Sequence, residues 1–130
     1  MNDKQKKSVA DLVRKHRSNL FLDLYRINIG YNETDTCDQC DDINTLACTT
    51  TDDRYYSADI KIHPKFWLQN EFDREQTIIH ELFHIITSPT SLIALDLLDG
   101  KHRIKDQITT EEERMTEHLT RIYSYLLNDK

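Results

Sequence analysis

The sequence predicts a single α+β domain over residues 1–130, in which an N-terminal helix precedes a small sheet and further helices follow. A length of 130 residues suits one domain. The charged share of 31% beside a hydrophobic share of 38% is typical of a soluble protein with a modest core. Residues 55–63 alternate between apolar and polar side chains, as a half-buried antiparallel strand does. The expected sheet therefore has three strands, is rich in antiparallel pairs and is covered on one face.

The first half of the chain predicts one helix and two strands. Residues 3–19 predict a helix, because apolar side chains gather on one side at helical spacing. Residues 20–31 are rich in β-branched and aromatic side chains and predict the first strand. Residues 32–44 are polar and acidic and predict a loop, and the β-prone run at residues 45–51 predicts the second strand.

The second half is predominantly helical. The strongest helix is expected at residues 74–88, where Asp73 is a good N-cap and Pro89 ends the helical pattern. A short amphipathic helix at residues 91–98, closed by Gly100, is expected to follow it.

The last helix is expected to be long, at residues 110–127, after a polar linker at residues 101–108. Its apolar side chains recur at helical spacing and form a stripe that we expect to face the core: Met115, Leu119, Ile122 and Leu126.

Three cysteines lie in or near the acidic loop. Cys37 and Cys40 have the spacing of one half of a zinc knuckle, and Cys48 adds a third thiol. A complete knuckle needs four ligands, so we interpret the segment as a loop with reduced thiols, with a second metal site as the alternative.

The sequence His80-Glu81-Leu82-Phe83-His84 contains the residue types of a metal site. Two histidines four residues apart lie on one face of a helix, one turn from each other, and can bind a single zinc ion. Glu81 then reaches a water on the metal. The alternative is two unrelated histidines and a glutamate on a helix. The flanking residues are apolar, however, and a buried glutamate without a partner would be costly. We therefore predict a metal site.

The third ligand is expected among the acids that begin the last helix: Glu111, Glu112, Glu113 and Glu117. We predict Glu112, because it lies on the apolar stripe, and Glu113 as the next candidate. Glu113 can instead complete a capping box with Thr110. His102 is a competing ligand, although a surface histidine is the plainer interpretation.

In these residues the chain resembles the short HExxH metallopeptidases encoded by phages and prophages, which are similar to minimal gluzincins. The resemblance lies in residues 55–67, in the helix that carries HELFH, and in residues 111–127. It implies a zincin-like fold, an edge strand before the active-site helix, and a zinc-ligating glutamate on the following helix, at Glu112 or Glu113. The cysteine-bearing loop departs from that pattern.

The expected function is zinc-dependent hydrolysis of a peptide or protein substrate, with Glu81 as general base. We expect the strand at residues 57–63 to pair with an extended peptide by β-augmentation. One alternative is a zinc-stabilised protein-binding module without catalysis. The other is a DNA-associated protease of the SprT-like type, which requires His102 as a ligand and a basic surface.

The overall charge narrows the expected partners. A net charge of −6 makes nucleic acid an unlikely partner. The N-terminus lacks the apolar core of a signal peptide, and no stretch approaches the roughly 20 apolar residues that span a bilayer. We expect no membrane association and a cytoplasmic location, in a bacterial host if the chain is phage-encoded.

Overall fold

Three helices and a three-stranded sheet form the fold of the computed structural model, which describes residues 2–33, 45–52, 55–97 and 102–128. The elements in chain order are α1 (Asp3–Arg17), β1 (Arg26–Tyr31), β2 (Ala47–Asp52), β3 (Ser57–Ile62), a 3₁₀ helix (Pro64–Leu68), α2 (Glu71–Leu97) and α3 (His102–Asn128). The predicted α+β class, the N-terminal helix and the long C-terminal helix are confirmed.

The sheet is mixed, with the strand order β1-β3-β2. The predicted antiparallel pairing joins β2 to β3, whereas β1 runs parallel to β3. Because β3 has a hydrogen-bonded strand on each side, it cannot accept a peptide as a further strand. The prediction that residues 57–63 form a peptide-binding edge is therefore wrong. Within the described residues, the edge strands are β1 and β2.

The core lies between the sheet and the helices α1 and α2. Ala58, Ile60 and Ile62 of β3 are at most 1% exposed, and Asp59 between them is exposed, so the predicted alternation holds. Val9 and Val13 of α1 belong to the same buried cluster. The alternating strand thus presents one apolar face to the helices, as an amphipathic strand does.

The first strand begins later than predicted, at Arg26 and not at residue 20. The Arg17 guanidinium donates hydrogen bonds to the carbonyl oxygens of Leu22, Asp23 and Tyr25. These carbonyl oxygens therefore bond to a side chain, which favours a turn over the early part of the predicted strand.

Helix α2 is longer than predicted at both ends. The Asn70 side chain accepts a hydrogen bond from the backbone N–H of Asp73 at 2.8 Å, so Asn70 provides the N-terminal cap expected of Asp73. The helix also continues through Pro89 to Leu97, so the predicted end at Pro89 and the separate helix at residues 91–98 are wrong. A proline inside a helix costs about 3 kcal/mol or more. The buried face of α2 before Pro89 offsets that cost.

An 18-residue window of α2 is apolar enough to cross a membrane, with a mean hydropathy of 1.3. Within the protein, 44% of this window is buried. Packing in the core therefore accounts for part of the apolar character of α2.

Helix α3 presents a different face to α2 than the sequence predicts. It begins at His102, where a linker was expected. Met115, Ile122 and Leu126 of the predicted inward stripe are 42%, 45% and 58% exposed. The side chains buried on this helix are small and polar instead: Thr116, Thr120 and Ser124. Thr116 and Thr120 donate to backbone carbonyl oxygens one turn earlier, at 2.7 and 2.8 Å, which removes much of the cost of burying them.

Candidate metal centre

Helix α2 places His80, Glu81 and His84 together, as the sequence predicts. The two imidazole rings lie one helical turn apart, with centroids separated by 4.8 Å and planes at 78°. His84 is 7% exposed and Glu81 is 4% exposed, so both are buried, while the His80 side chain keeps 20% of its surface. The apolar neighbours of the motif produce this burial, because Ile78, Leu82 and Ile85 belong to the core.

The Glu113 carboxylate of α3 contacts the Nε2 nitrogen of both histidines. One carboxylate oxygen, Oε2, lies 3.2 Å from Nε2 of His80. The other, Oε1, lies 3.0 Å from Nε2 of His84. A single carboxylate therefore spans the two nitrogens that the helical spacing brings to one face.

Two further carboxylates contact the other nitrogen of each ring. Glu117 Oε2 lies 2.9 Å from Nδ1 of His80, and Glu112 Oε2 lies 3.4 Å from Nδ1 of His84. This arrangement fixes the orientation of both rings. Carboxylates in such positions are the usual outer partners of metal-ligating histidines.

Burial and hydrogen bonds within the cluster shift the pKa values of its histidines and glutamates. Burial disfavours the charged form of His84, but hydrogen bonds with Glu112 and Glu113 outweigh it and raise the pKa of His84 to about 10. Hydrogen bonds with His80 and His84 hold the pKa of the Glu113 carboxyl below its usual value. Burial raises the pKa of the Glu81 carboxyl. Four carboxylates and two imidazoles thus share one small region.

The cluster lines a cleft of about 720 Å³ between β2 and the two long helices. The lining includes residues 45–49 from β2 and the segment before it, and Glu112, Glu113 and Glu117 from α3. The Thr49 hydroxyl donates to the carbonyl oxygen of Glu81 at 3.2 Å and holds β2 against α2. The edge strand therefore forms one wall of the cleft.

The donor atoms fit a divalent metal ion. The ligand atoms of His80, Glu81 and His84 lie within 4.8 Å of one another, and so do those of His84, Glu112 and Glu113. Imidazole nitrogen and carboxylate oxygen are the donors of catalytic sites that hold zinc through three protein ligands. Other first-row metals also accept this donor set.

The glutamates of α3 contact different nitrogen atoms of the two histidines. Glu112 and Glu113, the two predicted third ligands, both reach the histidines, and the ligand role of each stays a prediction. Glu117, which also belonged to the expected set of third ligands, contacts Nδ1 of His80, and this particular contact was not predicted. The signal for it is the four-residue spacing from Glu113, which puts both acids on one face of α3.

The competing ligands lie outside the described part of the chain. This holds for the side chain of His102, the first residue of α3, and for Cys37 and Cys40. A comparison of the chain with protein-family models, with curated proteins and with solved structures found no match.

Proposed function

We propose that the protein is a zinc-dependent metallopeptidase whose metal ion is held by His80, His84 and Glu113. The observation that carries this proposal is the position of the Glu113 carboxylate, 3.2 and 3.0 Å from the Nε2 atoms of the two histidines. An ion between these three groups has three protein ligands and keeps one position open, as a catalytic zinc site requires.

Glu113 suits the ligand role better than Glu112 does. Glu112 approaches His84 at Nδ1, the ring nitrogen that does not face Glu113. A carboxylate on that nitrogen orients the ring and raises its basicity without touching the metal. We assign this supporting role to Glu112 for His84 and to Glu117 for His80.

Glu81 is the proposed general base. Bound zinc supplies the Lewis acidity that polarises the substrate carbonyl and makes a water molecule acidic. Glu81 lies next to His80 in the sequence, and its carboxylate belongs to the same group of donor atoms. It accepts a proton from the attacking water and donates it to the nitrogen of the leaving amine. A purely structural zinc site has no need of this carboxylate.

The edge strand β2 is the proposed place for the substrate. It takes the role that the sequence suggested for residues 57–63. An extended peptide that pairs with β2 lies along the wall of the cleft, near the metal ligands. Main-chain pairing of this kind selects extended backbone more than particular side chains.

The test combines metal content with hydrolysis of a quenched-fluorescence peptide library. The wild-type protein, loaded with zinc, is expected to cleave the library. Replacing both ligands, as His80→Ala and His84→Ala, is expected to remove the ion from this site and abolish cleavage. Glu81→Gln is nearly isosteric and is expected to keep the ion but lose cleavage.

Three outcomes would contradict the proposal. Metal content that is unchanged when His80 and His84 are both replaced would remove the ligand assignment. Cleavage by Glu81→Gln at the wild-type rate would remove Glu81 as the base. Zinc binding without cleavage in the wild-type protein would favour the non-catalytic binding module.

A further inference from the structure

Carboxylates dominate the lining of the cleft that contains the candidate metal centre. Five of the described lining residues are acidic: Asp73, Glu81, Glu112, Glu113 and Glu117. Among the described lining residues there is no lysine or arginine. A zinc ion bound to His80 and His84 adds two positive charges, so the formal charge of the lining stays negative. A cleft lined by charges of one sign attracts substrates of the opposite sign.

Asp73 differs from the other four acids because it lies away from the proposed metal ligands. It belongs to the first turn of α2, and Thr77, His80 and His84 follow it at helical spacing on the same face. All four residues line the cleft. Seven residues of helix separate Asp73 from His80, so the two backbone positions are about 10 Å apart along the helix axis. Asp73 therefore belongs to the cleft beside the metal centre and not to the metal centre itself.

The Asp73 carboxylate is available to a substrate. Its backbone is fixed, because the N–H donates to the Asn70 side chain at 2.8 Å and the carbonyl oxygen accepts from the Thr77 hydroxyl at 3.0 Å. The residue is exposed, and its carboxylate makes no hydrogen bond or ion pair with any residue that the structure describes. By contrast, Glu75 on the same helix pairs with Lys15 at 3.1 Å.

The competing interpretation of Asp73 is a favourable interaction with the helix dipole. An acid in the first turn of a helix is stabilising wherever its side chain points. Glu71 lies in the same turn of α2, but it lines a different groove, between α1 and α2. The dipole therefore explains an acid in this turn, but it does not explain an acid that lines the cleft. Glu71 also provides a matched control for Asp73.

We propose that the cleft selects peptides with a positively charged group about three residues from the scissile bond, and that Asp73 contacts this group. An extended peptide advances about 3.3 Å per residue, so about three residues span the distance between Asp73 and His80. The charge belongs to a lysine or arginine side chain or to a free amino terminus. This inference rests on the proposed peptidase function, because the metal determines where the scissile bond lies.

Peptide binding tests the charge preference without any need for turnover. Zinc-loaded Glu81→Gln is titrated into fluorescent N-acetylated peptides that carry lysine, or acetyllysine as its uncharged counterpart, at one position after another. At the preferred position we expect lysine to bind about 5-fold more tightly, the upper range for one solvent-exposed ion pair. Added salt is expected to reduce this difference. Equal affinities at every position, or no binding of any peptide, would overturn the proposal.

A third peptide distinguishes the two sources of positive charge. It has acetyllysine at the preferred position and a free amino terminus in place of the acetyl group. Tighter binding of this peptide than of its acetylated counterpart would identify the amino terminus as a group that the cleft accepts. Tighter binding of the lysine peptides alone would identify the side chain.

Variants of α2 test the role of Asp73. In the Glu81→Gln background, Asp73→Asn is expected to bring the affinities for the lysine and acetyllysine peptides close to equality. Glu71→Gln removes one negative charge from the same helical turn but outside the cleft, and it is expected to keep the preference. A preference that is undiminished in Asp73→Asn, or reduced equally in both variants, would contradict the assignment.

The charge preference and the peptidase activity can fail separately. A wild-type protein that binds lysine peptides preferentially but cleaves none of them would contradict the peptidase function and support the charge preference. Cleavage of lysine and acetyllysine peptides with the same kcat/KM would support the peptidase function and overturn the charge preference.

Discussion

Glu117 and Glu113 contact the same imidazole from two sides: Glu117 lies 2.9 Å from Nδ1 of His80, and Glu113 lies 3.2 Å from Nε2. The ring is thus held between two carboxylates that stand one turn apart on α3. We proposed Glu113 as a metal ligand and Glu117 as a group that orients the His80 ring, and the first two predictions test that difference.

Glu113→Gln is expected to weaken zinc binding by more than about 100-fold, the upper end of the range for an outer partner. The reason is that the neutral amide is a much poorer metal ligand than the carboxylate that spans the two Nε2 atoms. Competition with a fluorescent zinc chelator measures the change. Glu112→Gln is the matched variant and is expected to lose less zinc affinity than Glu113→Gln. A larger loss for Glu112→Gln would restore Glu112, the sequence-based first choice, as the third ligand.

Glu117→Gln is expected to weaken zinc binding by about 10- to 100-fold, because the His80 ring loses the anionic acceptor of its Nδ1 proton. Glu111→Gln is the control. Glu111 pairs with Arg114 at 2.8 Å on the surface of α3, among acids of the same helix. Isothermal titration calorimetry measures the zinc affinity of both variants. Equal losses of affinity would show that the effect is only the removal of one negative charge.

Thr116→Val is expected to lower the free energy of unfolding by about 1–3 kcal/mol, because the buried hydroxyl of Thr87 is left without this partner. The hydroxyls of Thr87 and Thr116 are 2.9 Å apart in the interface between α2 and α3. The valine side chain has the same shape but lacks the hydroxyl. Urea denaturation measures the loss, with Thr110→Val at an exposed position of α3 as control. Equal stabilities for the two variants would show that this contact contributes nothing.

The stability of the protein is expected to decline more steeply below pH 6.5 in the wild type than in His16→Gln. Burial of His16 lowers its pKa, although Glu75 at 3.1 Å favours the charged form. The unfolded chain therefore takes up a proton at a pH where the folded protein does not, so stability is complete above 6.5 and falls as the pH decreases.

Urea denaturation at several pH values from neutral to mildly acidic tests this decline. The other titrating groups are shared by the wild type and His16→Gln, so the difference between their pH profiles isolates His16. Parallel profiles would contradict the role assigned to burial.

The motif itself was predictable from the sequence, because four-residue spacing on an apolar helix determines where two side chains lie. The α+β class was predictable from the alternation in β3, because residue spacing also determines which side chains share one face of a strand. The extent of α2 was not predictable, because the rule that proline ends a helix ignores the packing of the residues before it. The strand order was not predictable either, since alternation does not identify a strand's neighbours.

The orientation of α3 shows most clearly where a hydrophobic pattern misleads. The stripe that contains Met115 and Ile122 was expected inside, yet Thr116 and Thr120 are buried instead. The face with the threonines is also the face that carries Glu113 and Glu117 toward the histidines. Contact between these acids and the histidines requires that rotation of the helix, and apolar periodicity contains no information about it.

The nitrogen donors of the candidate metal centre belong to α2, and the carboxylates that meet them belong to α3. An ion shared by these groups acts as a cross-link between the middle of the chain and its C-terminal end. Occupancy and resistance to unfolding then rise together, because every ion bound by the folded state shifts the folding equilibrium. Removal of the ion by a chelator releases α3 from that cross-link and leaves only the hydrogen bonds between its carboxylates and the two imidazoles to join the helices at this point.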